Sequence, residues 1–157
     1  MSSEKKYFSP IEKLALYGHG GEDVSIISAL LQDSVLLKKN IKWNKKRNRF
    51  SLLVNRFRWE LMQDNINETL PFKRAQTMLL FNGVIAVYSQ NLQRALNNEI
   101  LSLLSLNLNS NENFDEIKLS FSGNTSIKLK IEFIEVLVKD LDTSDFHGKS
   151  TVPTHDN

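Results

Sequence analysis

The sequence predicts an α+β domain, predominantly antiparallel β, with about seven strands in a curved sheet or a sandwich- or barrel-like arrangement and one helix near the N-terminus. Three observations carry this. One stretch, just after His19-Gly20-Gly21, repeats its apolar residues at helical spacing. Most of the remaining apolar residues alternate with polar ones at a period of two. Polar turns separate the alternating runs, so neighbouring strands are joined by short connections and pair antiparallel.

The elements follow in order. Leu14 and Leu16 alternate within residues 11–17, which reads as a short strand. Glycines at 18, 20 and 21 then interrupt the chain, and Glu22 and Asp23 place acid where a helix N-terminus favours it. Apolar residues at 24, 27, 30, 31 and 35 form one stripe, so the helix is expected over residues 22–34, with Ser25, Ser28 and Gln32 facing out. Residues 41–44 and 49–60 are expected to form a hairpin about a polar turn, pairing Asn44 with Arg49, Trp43 with Phe50 and Ile41 with Leu52.

That hairpin contains NRFSLLVNRFRWE, residues 48–60. Alternation from Phe50 takes Leu52 and Val54 inward, but it would send Arg56 and Arg58 after them. A bulge within residues 54–56 removes the conflict: Phe57 and Trp59 then point inward, Arg56 and Arg58 outward.

Residues 61–76, with Pro71, read as a long connection. Residues 77–89 read as a central strand in which Asn82-Gly83 marks a turn or a bulge. Residues 99–109 form another strand, with Ile100, Leu104, Leu106 and Leu108 on one side. Residues 117–131 form a second hairpin, in which Phe121 is expected to meet Ile127 across a loop at Gly123, Asn124 and Thr125. Residues 132–141 suit a strand through Ile134, Val136 and Val138, or a helix through Ile134, Leu137, Val138 and Leu141; the strand is favoured.

The chain has 157 residues, 41% hydrophobic, which suits one domain and not two. A loose N-terminus over residues 1–10, a domain over 11–141 and a polar tail over 142–157 are expected. With no cysteine there is neither a disulfide framework nor a thiolate metal site, which fits a reducing compartment. The most apolar run, residues 78–87, is far too short to span a bilayer.

The net charge of +2 is unevenly spread: nine lysines and arginines and no acid lie within residues 38–58. Lys42, Lys45, Lys46, Arg47, Arg49, Arg56 and Arg58 are the candidate contacts to a nucleic acid or another anion. The bland alternative is a solvated strand face and turn that guard an edge.

No catalytic, metal or cofactor site is expected. His19 sits in a glycine-flanked turn beside Glu22 and Asp23, His147 and His155 lie in the tail, and no set of residues has ligand spacing. His155-Asp156 matches the adjacent pair of HD-type phosphohydrolases but lacks the further ligands such sites need. There is no G-x-S-x-G elbow, and the GHGG turn lacks the Lys-Ser/Thr of a phosphate-binding loop.

The runs GEDVSIISALLQDSV, IKWNKKRNRFSLLVNRFRWE, LSLLSLNL and LSFSGNTSIKLKIEFIEVLVKDL, with the closing PTHD, resemble the family catalogued as domain of unknown function 2948. The resemblance spans about Leu14 to Asp156 and is most specific in LQD and NRFRWE. It implies a small bacterial cytoplasmic protein of the alphaproteobacteria and no activity, cofactor or catalytic residue. The function expected from all of this is a non-enzymatic binding or accessory domain with a protein or small-molecule partner. The alternatives are a nucleic-acid-binding module using residues 38–58, and an enzyme with a site near His19, Glu22 and Asp23.

Overall fold

A computed structural model describes residues 13–58 and 74–142 of the chain. In order, these form β1 (Ala15–Gly18), α1 (Gly21–Leu31), β2 (Ser34–Leu37), β3 (Ile41–Asn44), β4 (Arg49–Phe57), β5 (Arg74–Phe81), β6 (Val84–Gln90), β7 (Ile100–Ser110), β8 (Asp115–Phe121), β9 (Thr125–Ile131) and β10 (Val136–Asp142). The α+β class holds, with ten strands in place of about seven. The difference comes mainly from β2, which the helical stripe had absorbed through Val35, and from residues 77–89, which divide into β5 and β6.

All strand pairs are antiparallel, in the order β1-β10-β5-β4-β2-β7-β8-β9-β6, with β3 paired to β4 beside this path. Strand β5 runs into β6 across Asn82-Gly83, and β9 runs into β10 across residues 132–135. The two ends of the sheet are thus tied together by the chain, and the sheet bends around one apolar cluster. Phe50, Leu52, Leu79, Phe81, Leu103, Leu119, Ile127, Leu129 and Val138 lie in it, each almost wholly buried. Gly83 takes φ +73 at the bend, so what reads as a hairpin turn is a corner between strands with different neighbours.

Helix α1 buries Val24, Ile27 and Leu31 and stops before Asp33, whose φ of 66 turns the chain into β2. Ser25 and Gln32 are exposed as expected. Ser28 is half-buried, and its Oγ accepts a 2.9 Å hydrogen bond from the Leu106 amide. Strand β2 pairs with β7 only as far as Leu103, so beyond it the helix supplies the acceptor that a missing strand would.

The β3–β4 register is the expected one, with Asn44 opposite Arg49, Trp43 opposite Phe50 and Ile41 opposite Leu52. The second hairpin is shifted by two: Phe121 meets Thr125, and Leu119 meets Ile127. Alternation fixes which face a residue takes but not a slip of two, and Gly123 (φ 74) and Asn124 (φ 59) allow the tighter turn.

The expected bulge in β4 is absent. Strand β4 pairs with β5 without interruption from Phe50 opposite Phe81 to Phe57 opposite Arg74. Arg56 and Arg58 therefore point inward, at 0% and 1% exposure, and Phe57 lies half-buried on the outer face with the Arg74 guanidinium 5.5 Å from its ring centre. Trp59 lies outside the described residues. A bulge occurs instead in β7, between Leu103 and Ser105, where it puts Leu101, Leu103 and Leu106 inside and leaves Ile100 and Leu104 exposed. Residues 136–142 are strand, as favoured. Among the described residues no helix is long and apolar enough to cross a membrane.

Candidate functional site

The inward arginines account for the sheet's most polar interior point. Arg56 makes a two-pronged ion pair with Asp140 on β10, Nε to Oδ1 at 2.9 Å and NH2 to Oδ2 at 3.0 Å, with both side chains fully buried. Thr77 Oγ donates to Oδ1 at 2.7 Å and the Leu14 amide to Oδ2 at 2.9 Å. Burial alone would raise the Asp140 pKa; the hydrogen bonds from Arg56, Thr77 and Leu14, with the Arg56 charge, outweigh it and hold the carboxyl below its ordinary value. This cluster ties β4, β5 and β10 to the residue that precedes β1. It leaves Arg56 unavailable as a surface contact, for a physical reason: an arginine enters a core when a carboxylate meets its fork. Arg58, 1% exposed, is buried as well, so the expectation that the two face solvent is wrong.

The other five basic candidates are exposed and gathered on the β3–β4 hairpin. Its turn, Lys45–Arg47, is a single 3-10 turn closed by the Arg47 amide donating to Asn44 Oδ1 (3.2 Å) and by Asn48 in the left-handed conformation (φ 53). The Val84 amide donates to the Asn48 carbonyl at 2.9 Å, which pins the hairpin tip to the start of β6. Lys42, Lys45, Lys46 and Arg47 form no ion pair with any described residue. They are cations held on a fixed backbone.

Arg49 differs. Its Nε donates to Asn82 Oδ1 at 3.0 Å, and Asn82 Nδ2 donates to Glu135 Oε2 at 2.9 Å. Tyr17 reaches towards the same carboxylate; desolvation, with that contact and the negative charge, raises the phenol's pKa. The His19 ring packs edge-on against Tyr17, centroids 4.6 Å apart. Four segments far apart in sequence thus converge beside the hairpin: β1 and the turn after it, the base of β4, the β5–β6 corner and the β9–β10 corner. Sequence reasoning missed Asn82 and Glu135 as parts of a site, because neither stands in a motif and their partners lie 33 and 53 residues away.

A family model described as a protein of unknown function, DUF2948, matches residues 14–155. The chain belongs to that family. No curated protein and no solved structure matches it significantly. Membership in DUF2948 brings no residue roles with it, so the chemistry rests on the geometry.

Two further places in this DUF2948 chain bear on function. The amides of His19 and Gly20, which head α1, both donate to Asp23 Oδ2, at 2.9 and 3.1 Å. A carboxylate of the helix's own first turn thus takes the two amides just ahead of the helix. On the outer face, β2 and β4 share one bridge, Val35 opposite Asn55. A mainly apolar groove of about 260 Å³ opens at this point, lined by Val35, Leu37, Leu53, Asn55, Gln76 and Ile100 among others. Asn55 Oδ1 has no hydrogen-bond partner there. Among the described residues no cluster of His, Asp and Glu has the form of a metal site. His147, His155 and Asp156 lie outside the described residues.

Proposed function

We propose that this protein is a non-enzymatic binding domain of the bacterial cytoplasm that takes an anionic partner on the β3–β4 hairpin, the phosphate backbone of a nucleic acid being the class its charge layout fits. One observation carries the reading: Lys42, Lys45, Lys46 and Arg47 stand exposed on a pinned hairpin with no counter-charge among the described residues, and Arg49 extends the set. Ordinary solvated faces mix signs of charge, whereas the hairpin itself, residues 41–57, carries no acid. Trp43 is half-buried and Phe50 buried, so the hairpin offers no stacked platform for bases. The contacts expected are therefore to phosphates and independent of sequence.

If all five cations meet phosphates, the logarithm of affinity falls against the logarithm of salt with a slope near −4.5, a loss of roughly several hundred-fold between 50 and 200 mM salt. Titration of a labelled mixed-sequence DNA duplex at the two salt concentrations measures this. Lys45→Glu/Lys46→Glu/Arg47→Glu is expected to abolish binding. Affinity indifferent to salt, or a triple variant that binds like the parent, overturns the reading. Displacement by polyglutamate as readily as by DNA transfers the site to an acidic protein partner.

A protein or small-molecule partner without net charge is the second reading, and the groove between β2 and β4 favours it, since its apolar walls and the open Asn55 carbonyl suit a small amphiphile. Such a ligand leaves the salt dependence flat, so the same titration separates the two.

A further inference from the structure

We infer that Arg49 is the anchor of this anion site and that Asn82 and Glu135 are positioning residues that aim it. The inference rests on the proposed hairpin reading and adds to it the residues that give the site a direction.

Glu135 carries two acceptor oxygens and no donor, so the amide facing it presents Nδ2; Asn82 Oδ1 is then left to face Arg49. The orientation of Asn82 is thus set by chemistry, and its backbone is held as well, by its amide donating to the Glu135 carbonyl at 3.0 Å. The next residue, Gly83, turns the corner with φ +73 under the Phe133 ring. Arg49 Nε is therefore met by a fixed acceptor at 3.0 Å, while its two terminal nitrogens make no hydrogen bond with any described residue. A guanidinium held by Nε alone presents those nitrogens as a flat fork, the geometry that matches two oxygens of one phosphate. It also loses less rotamer freedom on binding than a free arginine would.

Lys42 lies on the same face of the hairpin, one diagonal step from Arg49 and so roughly 7–8 Å away, and supplies a second charge for the same or the adjacent phosphate. Glu135 is an acid placed beside an anion site. By charge alone it opposes binding; through Asn82 it serves it.

That opposition of sign makes the test decisive. The full chain is titrated with the mixed-sequence DNA duplex at both salt concentrations. Arg49→Lys keeps the charge and removes the fork; it is expected to bind about ten-fold more weakly. Asn82→Ala leaves the net charge unchanged and is expected to lose a similar factor, with a salt slope lower by about one. Glu135→Leu raises the net charge by one yet is expected to weaken binding, where charge alone predicts tightening. Because Asn82 acts through Arg49, Arg49→Lys/Asn82→Ala is expected to lose no more than either single variant.

Tighter binding by Glu135→Leu, unchanged binding by Asn82→Ala, or additive losses in the double variant overturns the inference. Arg49→Lys is a surface change that leaves the fold intact, so parental affinity in that variant overturns it even if the corner variants misfold. Unchanged binding by the Lys45→Glu/Lys46→Glu/Arg47→Glu variant removes the hairpin reading as a whole. Loss in that variant with parental binding by Arg49→Lys removes only the anchor.

Discussion

Replacing Asp140 by Asn keeps the shape of the side chain and removes its charge. In the parent, Asp140 accepts two hydrogen bonds from Arg56, one from Thr77 and one from the Leu14 amide. An amide in its place turns an NH2 group towards donors and leaves the Arg56 charge without its anion at 0% exposure. Breaking a buried pair in this way costs about 3–5 kcal/mol. Coulomb's law gives the same scale, about 4 kcal/mol for unit charges 4 Å apart at an effective dielectric of 20. For a chain of this size, 1 kcal/mol moves the melting temperature by about 2–4 °C, so Asp140→Asn should melt about 6–20 °C below the parent. Circular dichroism melts and urea titration measure both quantities. The companion variant Arg56→Leu/Asp140→Leu removes both charges and should lose less than Asp140→Asn, because an apolar pair of similar volume avoids the desolvation penalty. A loss under about 1 kcal/mol in Asp140→Asn, or a double variant as unstable as the sum of its singles, refutes the coupling.

The same carboxyl predicts an acid limb. Its pKa is depressed in the folded chain relative to an ordinary value near 3.8, so its stabilisation is fully present above about pH 4 and is lost as pH falls through the folded value. Between pH 5 and pH 3 the parent should therefore lose more stability than Asp140→Asn in guanidinium titrations; parallel losses would show that Asp140 does not titrate with folding. At the β5–β6 corner, Gly83→Ala forces a side chain to φ +73 and sets its Cβ 2.7 Å from the Phe133 ring. The left-handed backbone should cost about 1–2 kcal/mol. Phe133 is 47% exposed and free to swing away, so adding Phe133→Ala should restore little, and full recovery in that double variant would assign the cost to the ring.

Much of the fold was legible because local patterns report faces. The helical stripe located α1 to within a few residues, and alternation about Lys45–Arg47 set the β3–β4 register residue for residue. Parity is all that alternation conveys, which is why the second hairpin keeps its faces while slipping by two. Strand β2 was hidden because Val35 falls at helical spacing from Leu31, and only the positive φ of Asp33 ends the helix before it. The β5–β6 division was hidden because a strand apolar on both sides of Asn82-Gly83 does not reveal that its halves pair with different neighbours. The hairpin's cations could be read from charge, but not that Arg56 and Arg58 among the seven candidates are buried. Asn82 and Glu135 could not, since what brings them to Arg49 is the meeting of two corners.

The stretch NRFSLLVNRFRWE shows where residue-type reasoning breaks and why. A charged residue in an inward register is normally evidence of a slip or a bulge, because an isolated buried charge is prohibitively costly. That rule depends on isolation, and isolation cannot be judged from the strand itself. Asp140 lies 84 residues from Arg56 and reads, on its own, as one more acid on the face of an alternating strand. Taken separately, an inward Arg56 calls for a bulge in β4, and an Asp140 that follows Val136 and Val138 in the same register calls for an irregularity in β10. Taken together, the two in-register charges explain each other: β4 stays regular through Arg56, and β10 keeps its register as far as Asp140 opposite Thr77, shifting only beyond it, between Asp140 and Asp142. A second out-of-pattern charge of opposite sign on another strand is therefore the signal that would have turned the expected bulge into a predicted ion pair. The same reasoning divides the arginines of this segment by function. Arg49, the first residue of β4 and exposed, can meet an anion from solvent, whereas Arg56, seven residues on and inward, has its anion within the fold.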